Sequence, residues 1–105
     1  ITPQIKEFHE LSGEMHEKFN EFHNLVYEDG HLSKKLKKGL MGLACAILAK
    51  CSWCIRSCIR DGIKEGVTKA EITEAVNIAM VMAAGACWAH AGITMETAST
   101  FGKKK

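Results

Sequence analysis

Apolar residues recur every three or four positions from Ile5 to Val26, at Ile5, Phe8, Leu11, Met15, Phe19, Phe22 and Val26. That spacing lays them on one helical face and predicts a single long helix. It opens at Thr2-Pro3, where proline's missing N–H costs nothing, and Asp29-Gly30 ends it. Ser33 can cap a second helix, with Leu36, Leu40, Leu43, Ile47 and Leu48 on its apolar side, finishing near Lys50. A third carries Cys54, Ile55, Cys58, Ile59, Gly62 and Ile63 and stops at Gly66. Thr68-Lys69-Ala70-Glu71 has the form of a capping box and predicts a fourth helix over about 69–84. Gly85 interrupts the pattern, and a fifth helix is predicted from Cys87 into the high nineties. No β-branched run alternates between turn signals, so strands are not expected. The expected fold is an all-α bundle of about five helices.

The fourth helix and the start of the fifth are apolar on nearly every side. A helix of that kind has to be buried all round, and 105 residues leave little room for it within one chain. A homo-oligomer is therefore expected, with the stripe of the first helix as a second contact surface. The length suits one domain over 1–105, divided into an N-terminal helix over 1–30 and a core over 33–101. A net charge of +2 with 25% charged residues argues against nucleic acid as a partner. The basic runs Lys34-Lys35, Lys37-Lys38 and Lys103-Lys104-Lys105 are expected to be solvated. The most apolar stretch, 78–89, is too short to span a bilayer, and Ile1-Thr2-Pro3-Gln4 does not open a signal peptide. No membrane association and a cytoplasmic location follow as expectations.

Five cysteines without an export signal point to catalytic, redox or metal-binding thiols rather than a secreted disulfide framework. The centre of interest is Cys51-Ser52-Trp53-Cys54, placed where the second helix ends and the third begins. A helix start presents unpaired N–H groups and partial positive charge, which lower a cysteine pKa from about 8.5 toward neutrality or below. Cys58 lies one turn after Cys54 on the same face, so the full run is CxxCxxxC. One outcome is a redox dithiol, with Cys58 modulating it. Another is a zinc or iron–sulfur site through Cys51, Cys54 and Cys58, with His90 or Cys87 as fourth ligand. The dithiol needs no cofactor and no metal. Cys45 and Cys87 fit best as small packing residues. His9, His16 and His23 recur every seven residues and fit a polar edge beside the first stripe. His90 is a candidate base near the cysteines, and Trp53 a candidate platform for a partner. Glu28 and Asp29 are the nearest acids before the second helix.

Leu40-Met41-Gly42-Leu43, Cys51-Ser52-Trp53-Cys54-Ile55-Arg56, Glu65-Gly66-Val67-Thr68 and Glu71-Ile72-Thr73-Glu74-Ala75 together resemble the carboxymuconolactone decarboxylase/alkylhydroperoxidase D-like family. The resemblance covers residues 36 to about 93. It implies an all-helical fold, assembly into homotrimers or homohexamers and, in the thiol-bearing branch, peroxidase-type antioxidant chemistry through a redox-active disulfide. By that pattern Cys54 attacks a peroxide and Cys51 resolves the sulfenic acid, then exchanges with a protein or small-thiol reductant. Helix-terminus reasoning alone would make Cys51 the nucleophile. The sequence departs from the pattern twice: Gly39 stands where the branch has a glutamate, and Cys58 where it has a histidine. The expected function is thus thiol–disulfide oxidoreduction on a peroxide or disulfide substrate, with peroxidase activity weakened by loss of a base worth about 10²–10⁴-fold in rate. The alternatives are the metal-binding oligomer and a scaffold reduced in catalysis.

Overall fold

The structure, a computed structural model, describes residues 2–102, and the regular elements among them are all helical. They fall into two compact units, Ile1–Lys34 and Lys35–Lys105.

In the first unit the single long helix of the sequence pattern is two helices, α1 (Pro3–Ser12) and α2 (Glu14–Tyr27). Thr2 caps α1, its Oγ1 accepting the Ile5 N–H at 3.2 Å. The break falls at Gly13, whose φ of 55° and ψ of −117° suit glycine and few other residues. The apolar spacing runs straight through this break, so periodicity does not reveal it. The histidines do. His9 and His16 would stand about 10 Å apart along a straight helix, yet their rings stack with centroids 4.0 Å apart and planes within 9° of parallel. The apolar stripe is present, but no residue of α1 or α2 is buried.

The second unit opens with a π-helical segment, Lys35–Met41, that runs directly into α3 (Gly42–Leu48). The second expected helix is thus in place, wound wider over its first half. α4 (Ser52–Lys64) follows, and Gly66 beyond its end takes φ 90°. The turn from α3 to α4 is a Schellman motif. The Cys51 N–H donates to the Ala46 carbonyl at 3.0 Å, and the Lys50 N–H to the Ile47 carbonyl at 3.1 Å. Its left-handed residue is Lys50, at φ 56°. The capping box forms as the sequence indicates. The Glu71 N–H donates to Thr68 Oγ1 at 3.1 Å, and the Thr68 N–H to Glu71 Oε1 at 2.9 Å.

From that cap α5 runs unbroken over Lys69–Phe101. The two helices expected around Gly85 are therefore one. Glycine inside a helix costs only about 1 kcal/mol relative to alanine. Ala83, Ala84 and Ala86 around it are strong helix formers, and no proline forces a stop.

The core is small. Leu43 and Ala46 of α3, Cys58 of α4, Val67, and Ala75 and Ala79 of α5 are buried. Leu40, Ile47, Ile55, Ile59 and Ile72 pack around them. Gly39 and Gly62 let the π-helical segment lie directly on α4. A Cβ built on Gly39 would stand 2.7 Å from Val67 Cγ2 and 3.0 Å from Gly62 Cα.

Beyond Ala79 the burial stops. Every residue from Met80 to Gly102 is exposed, Trp88 at 85%. By length and composition α5 is the one helix among the described residues that could cross a membrane. The limit drawn from residues 78–89 therefore does not hold for the observed element. Its face at Ala75 and Ala79, however, is buried in protein. What remains before the charge of Glu96, Met80–Met95, rises only about 24 Å, short of the ~30 Å hydrocarbon core of a bilayer.

Candidate redox site

Cys51 is the N-cap residue of α4. Its backbone, at φ −103° and ψ 95°, turns the side chain over the helix start, where Sγ accepts the Cys54 N–H at 3.1 Å. A serine or aspartate oxygen occupies that position in an ordinary cap. The Cys51 carbonyl also accepts the Ile55 N–H at 2.9 Å. Cys51 and Cys54 are joined as a disulfide, with Cα atoms 5.2 Å apart. The pair expected at a helix start is there, and the two sulfurs differ. The half-buried Cys51 holds the cap N–H, whereas Cys54 is exposed. Negative charge on Cys51 Sγ would gain both that N–H and the helix-end potential.

One turn further, Cys58 is 4% exposed and packs with Leu43 and Ala75 in the core. Burial pushes its thiol up, Lys38 opposes that shift, and Asp61 and Cys45 add to it. Cys58 therefore remains a neutral thiol near pH 7. Cys45 and Cys87, expected as packing residues, are both exposed thiols in the chain.

Lys38 corrects another expectation. Taken from sequence as part of a solvated basic run, it is only 5% exposed, with Nζ 3.6 Å from Asp61 Oδ2. The other Asp61 oxygen accepts the Arg60 Nε–H at 3.1 Å. Burial pushes the Asp61 carboxyl up. The Arg60 hydrogen bond and the charges of Arg60, Lys38 and Lys64 outweigh it and hold the carboxyl below its usual range. Cys54, Cys58 and Asp61 stand four and three residues apart, on one side of α4. Sequence reasoning missed this ion pair. The available signal was a pair of glycines, Gly39 and Gly62, each directly following one of the two charged residues. Where those glycine backbones meet, Lys38 and Asp61 are brought together.

Gly39 is also the position at which the resemblance would lead one to expect a glutamate. Its contact with Gly62 and Val67 leaves no room for a side chain. His90 lies in the exposed half of α5, where Nδ1 donates to the Ala86 carbonyl at 2.6 Å. Its polar partner is thus the helix's own backbone. Trp53, between the two cysteines, is 59% exposed. A groove of about 270 Å³ lies between the π-helical segment, α3 and α5, lined by Leu40, Met41, Ala44, Ala75 and Ile78 with Glu71 and Glu74. No cysteine lines it. Among the described residues no three His, Cys, Asp or Glu side chains are placed to share a metal ion.

Comparison with known proteins agrees with this fold. The chain is 40% identical over 67 residues to "Uncharacterized protein 4 in cox locus" of Paracoccus denitrificans, a match covering 64% of this chain and 60% of that protein. The chain thus spans about three-fifths of that relative's length. A crystal structure of a Methanobacterium thermoautotrophicum protein, solved by structural genomics, superposes with a TM-score of 0.77 at 29% identity. It covers 83% of this chain and 97% of its own. Residues 13–93 match the carboxymuconolactone decarboxylase family. With most of the chain inside that match, and with the helical fold and CxxC disulfide in place, the protein belongs to the carboxymuconolactone decarboxylase family.

Proposed function

We propose that the protein is a thiol–disulfide oxidoreductase whose Cys51–Cys54 pair cycles between disulfide and dithiol. The observation that carries this reading is the hydrogen bond from the Cys54 N–H to Cys51 Sγ beside an exposed Cys54. It gives the two sulfurs different tasks. A reductant's thiolate attacks Cys54 Sγ, the Cys51–Cys54 bond breaks, and the electron pair leaves on Cys51, the better-stabilised thiolate. A second thiol of the reductant then attacks its own sulfur in the mixed disulfide and releases Cys54.

In the oxidising direction the Cys51 thiolate takes the Cys54 proton, and Cys54 attacks the peroxide oxygen. A sulfenic acid forms on Cys54, and the alcohol or water leaves with the proton that Cys51 had taken. Cys51, again a thiolate, then attacks that sulfur, the disulfide reforms and hydroxide departs, protonated to water by solvent. With Gly39 and Cys58 in place of the family's acid and base, this peroxide step is slow and exchange with disulfides dominates.

Mass spectrometry after peroxide, then dithiothreitol, tests the reading. A reversible loss of two hydrogens confined to Cys51 and Cys54 is expected. Its absence would sink the proposal.

The exposed half of α5 supports a second element of the reading: the chain works as a homo-oligomer. Met80–Phe101 is an apolar helix with no cover of its own, and other copies of the chain supply that cover. A trimer or hexamer is the form that the family resemblance implies.

A further inference from the structure

Beside the disulfide, α4 carries a row of cations that the exchange chemistry itself does not use. Trp53, Arg56, Arg60 and Lys64 are spaced by three, four and four residues, which puts them on one helical face. All four are exposed. The row begins one residue from Cys54 and extends about 16 Å along the helix. Arg60 is tied to its own helix, through Nε to Asp61 Oδ1 at 3.1 Å and Nη2 to Ser57 Oγ at 3.5 Å. Asp61 in turn is shared with Lys38. Asp61 and Glu65 are the acids flanking the row. Asp61 bridges Arg60 and the buried Lys38, and Glu65 offsets one further cation; Arg56 and the surplus cation at Asp61 keep the outward charge of the face positive.

A fourth cation joins these three from the other side of Cys51 in the chain. Lys50 is exposed and directly precedes Cys51. It holds a left-handed backbone, φ 56°, at the Schellman position where glycine is the usual residue. A lysine there accepts backbone strain that glycine would avoid, and it adds a positive charge to the residue directly before Cys51.

We infer that this face, Lys50, Trp53, Arg56, Arg60 and Lys64, docks an acidic protein that presents its reactive thiol to Cys54. The inference rests on the proposed dithiol cycle and names the class of its reductant. Charge complementarity selects an acidic partner, and an exposed tryptophan between Lys50 and Arg56, next to Cys54 in the chain, supplies the kind of aromatic anchor on which protein interfaces depend. A row about 16 Å long, with its three cations spread over some two helical turns, exceeds what a small thiol can cover, which selects a protein surface. Docking brings the partner's thiolate to Cys54 Sγ. That bond forms as the Cys51–Cys54 bond breaks, and the electron pair goes to Cys51.

The test uses the full chain, oxidised, with two synthetic peptides that each carry one cysteine, flanked by glutamates in one and by lysines in the other. Mixed-disulfide formation is followed by mass spectrometry, with rates expressed per thiolate. At low salt the acidic peptide should react at least about tenfold faster, within the range that steering gives. The gap should close as salt shortens the screening length. Arg56→Glu combined with Lys64→Glu should reverse the preference while leaving reduction by uncharged dithiothreitol unchanged. Equal rates for the two peptides, or a preference that survives both substitutions, would overturn the docking face. So would an equally large preference for mercaptoethanesulfonate over cysteamine, which would point to a small anionic thiol. Failure of dithiothreitol to reduce the pair in wild type would instead remove the dithiol cycle, and the docking face with it.

Discussion

Lys38 and Asp61 show how much a single residue's role depends on what the chain brings beside it. Each is followed by a glycine, and the contact of those glycines sets an ammonium in the interior against a carboxylate on α4. Asp61 is held below its ordinary pKa by Arg60, Lys38 and Lys64 against the opposing effect of burial. It therefore favours the folded state above its unfolded value, about 3.9, and that contribution is lost as pH falls through the lower folded value. Asp61→Asn should flatten this acid limb in urea unfolding followed from pH 6 to pH 2. At neutral pH it should cost about 3 kcal/mol, because Lys38 stays buried after losing the carboxylate. An acid limb identical to wild type would show that the pair does not hold in solution. Cys51 makes the same point for chemistry. The CxxC spacing marks two thiols, and only the cap geometry distinguishes the one that holds charge from the one that meets a partner.

At the scale of elements, ends were more legible than interiors. The Thr2 cap, the Gly66 stop and the Thr68–Glu71 box depend on residues within four positions of one another, so local sequence suffices to place them. Thr68→Ala should cost about 1 kcal/mol in chemical denaturation and fray the start of α5, seen as faster amide exchange at Ala70 and Glu71. Gly13 and Gly85 were not legible in the same way. Both are glycines in helical surroundings, and Gly13 breaks its helix while Gly85 does not. The difference is in the backbone: Gly13 adopts a positive φ, whereas Gly85 sits within the alanine-rich run that keeps α5 continuous. The π-helical winding of Lys35–Met41 was likewise hidden, since its apolar residues still recur at helical intervals. The close meeting of Gly39 with Gly62 and Val67 is a tertiary event without a periodic signature.

For the whole molecule the decisive feature is the uncovered half of α5. A helix apolar on all sides is stable in water only when something packs around it, and the proposed cover is further copies of the chain. Trp88→Glu with Ile93→Glu should reduce the mass measured by light scattering to that of one chain or lower the yield of folded protein, while surface changes at Arg56 and Lys64 leave the mass unaltered. A wild-type mass equal to a single chain would rule out the assembly. The sequence by itself determined the helical class, the caps, the family and the CxxC at a helix start, because these depend on short-range spacing and on the chemistry of neighbouring residues. Only the tertiary structure decided that Lys38 is buried against Asp61, that Gly39 has no space for an acid, that α5 is one helix and that Cys51 is the sulfur held by the cap. Those outcomes depend on which backbones approach closely enough to exclude a side chain or align a single N–H, and distance between elements far apart in the chain is not written in local spacing.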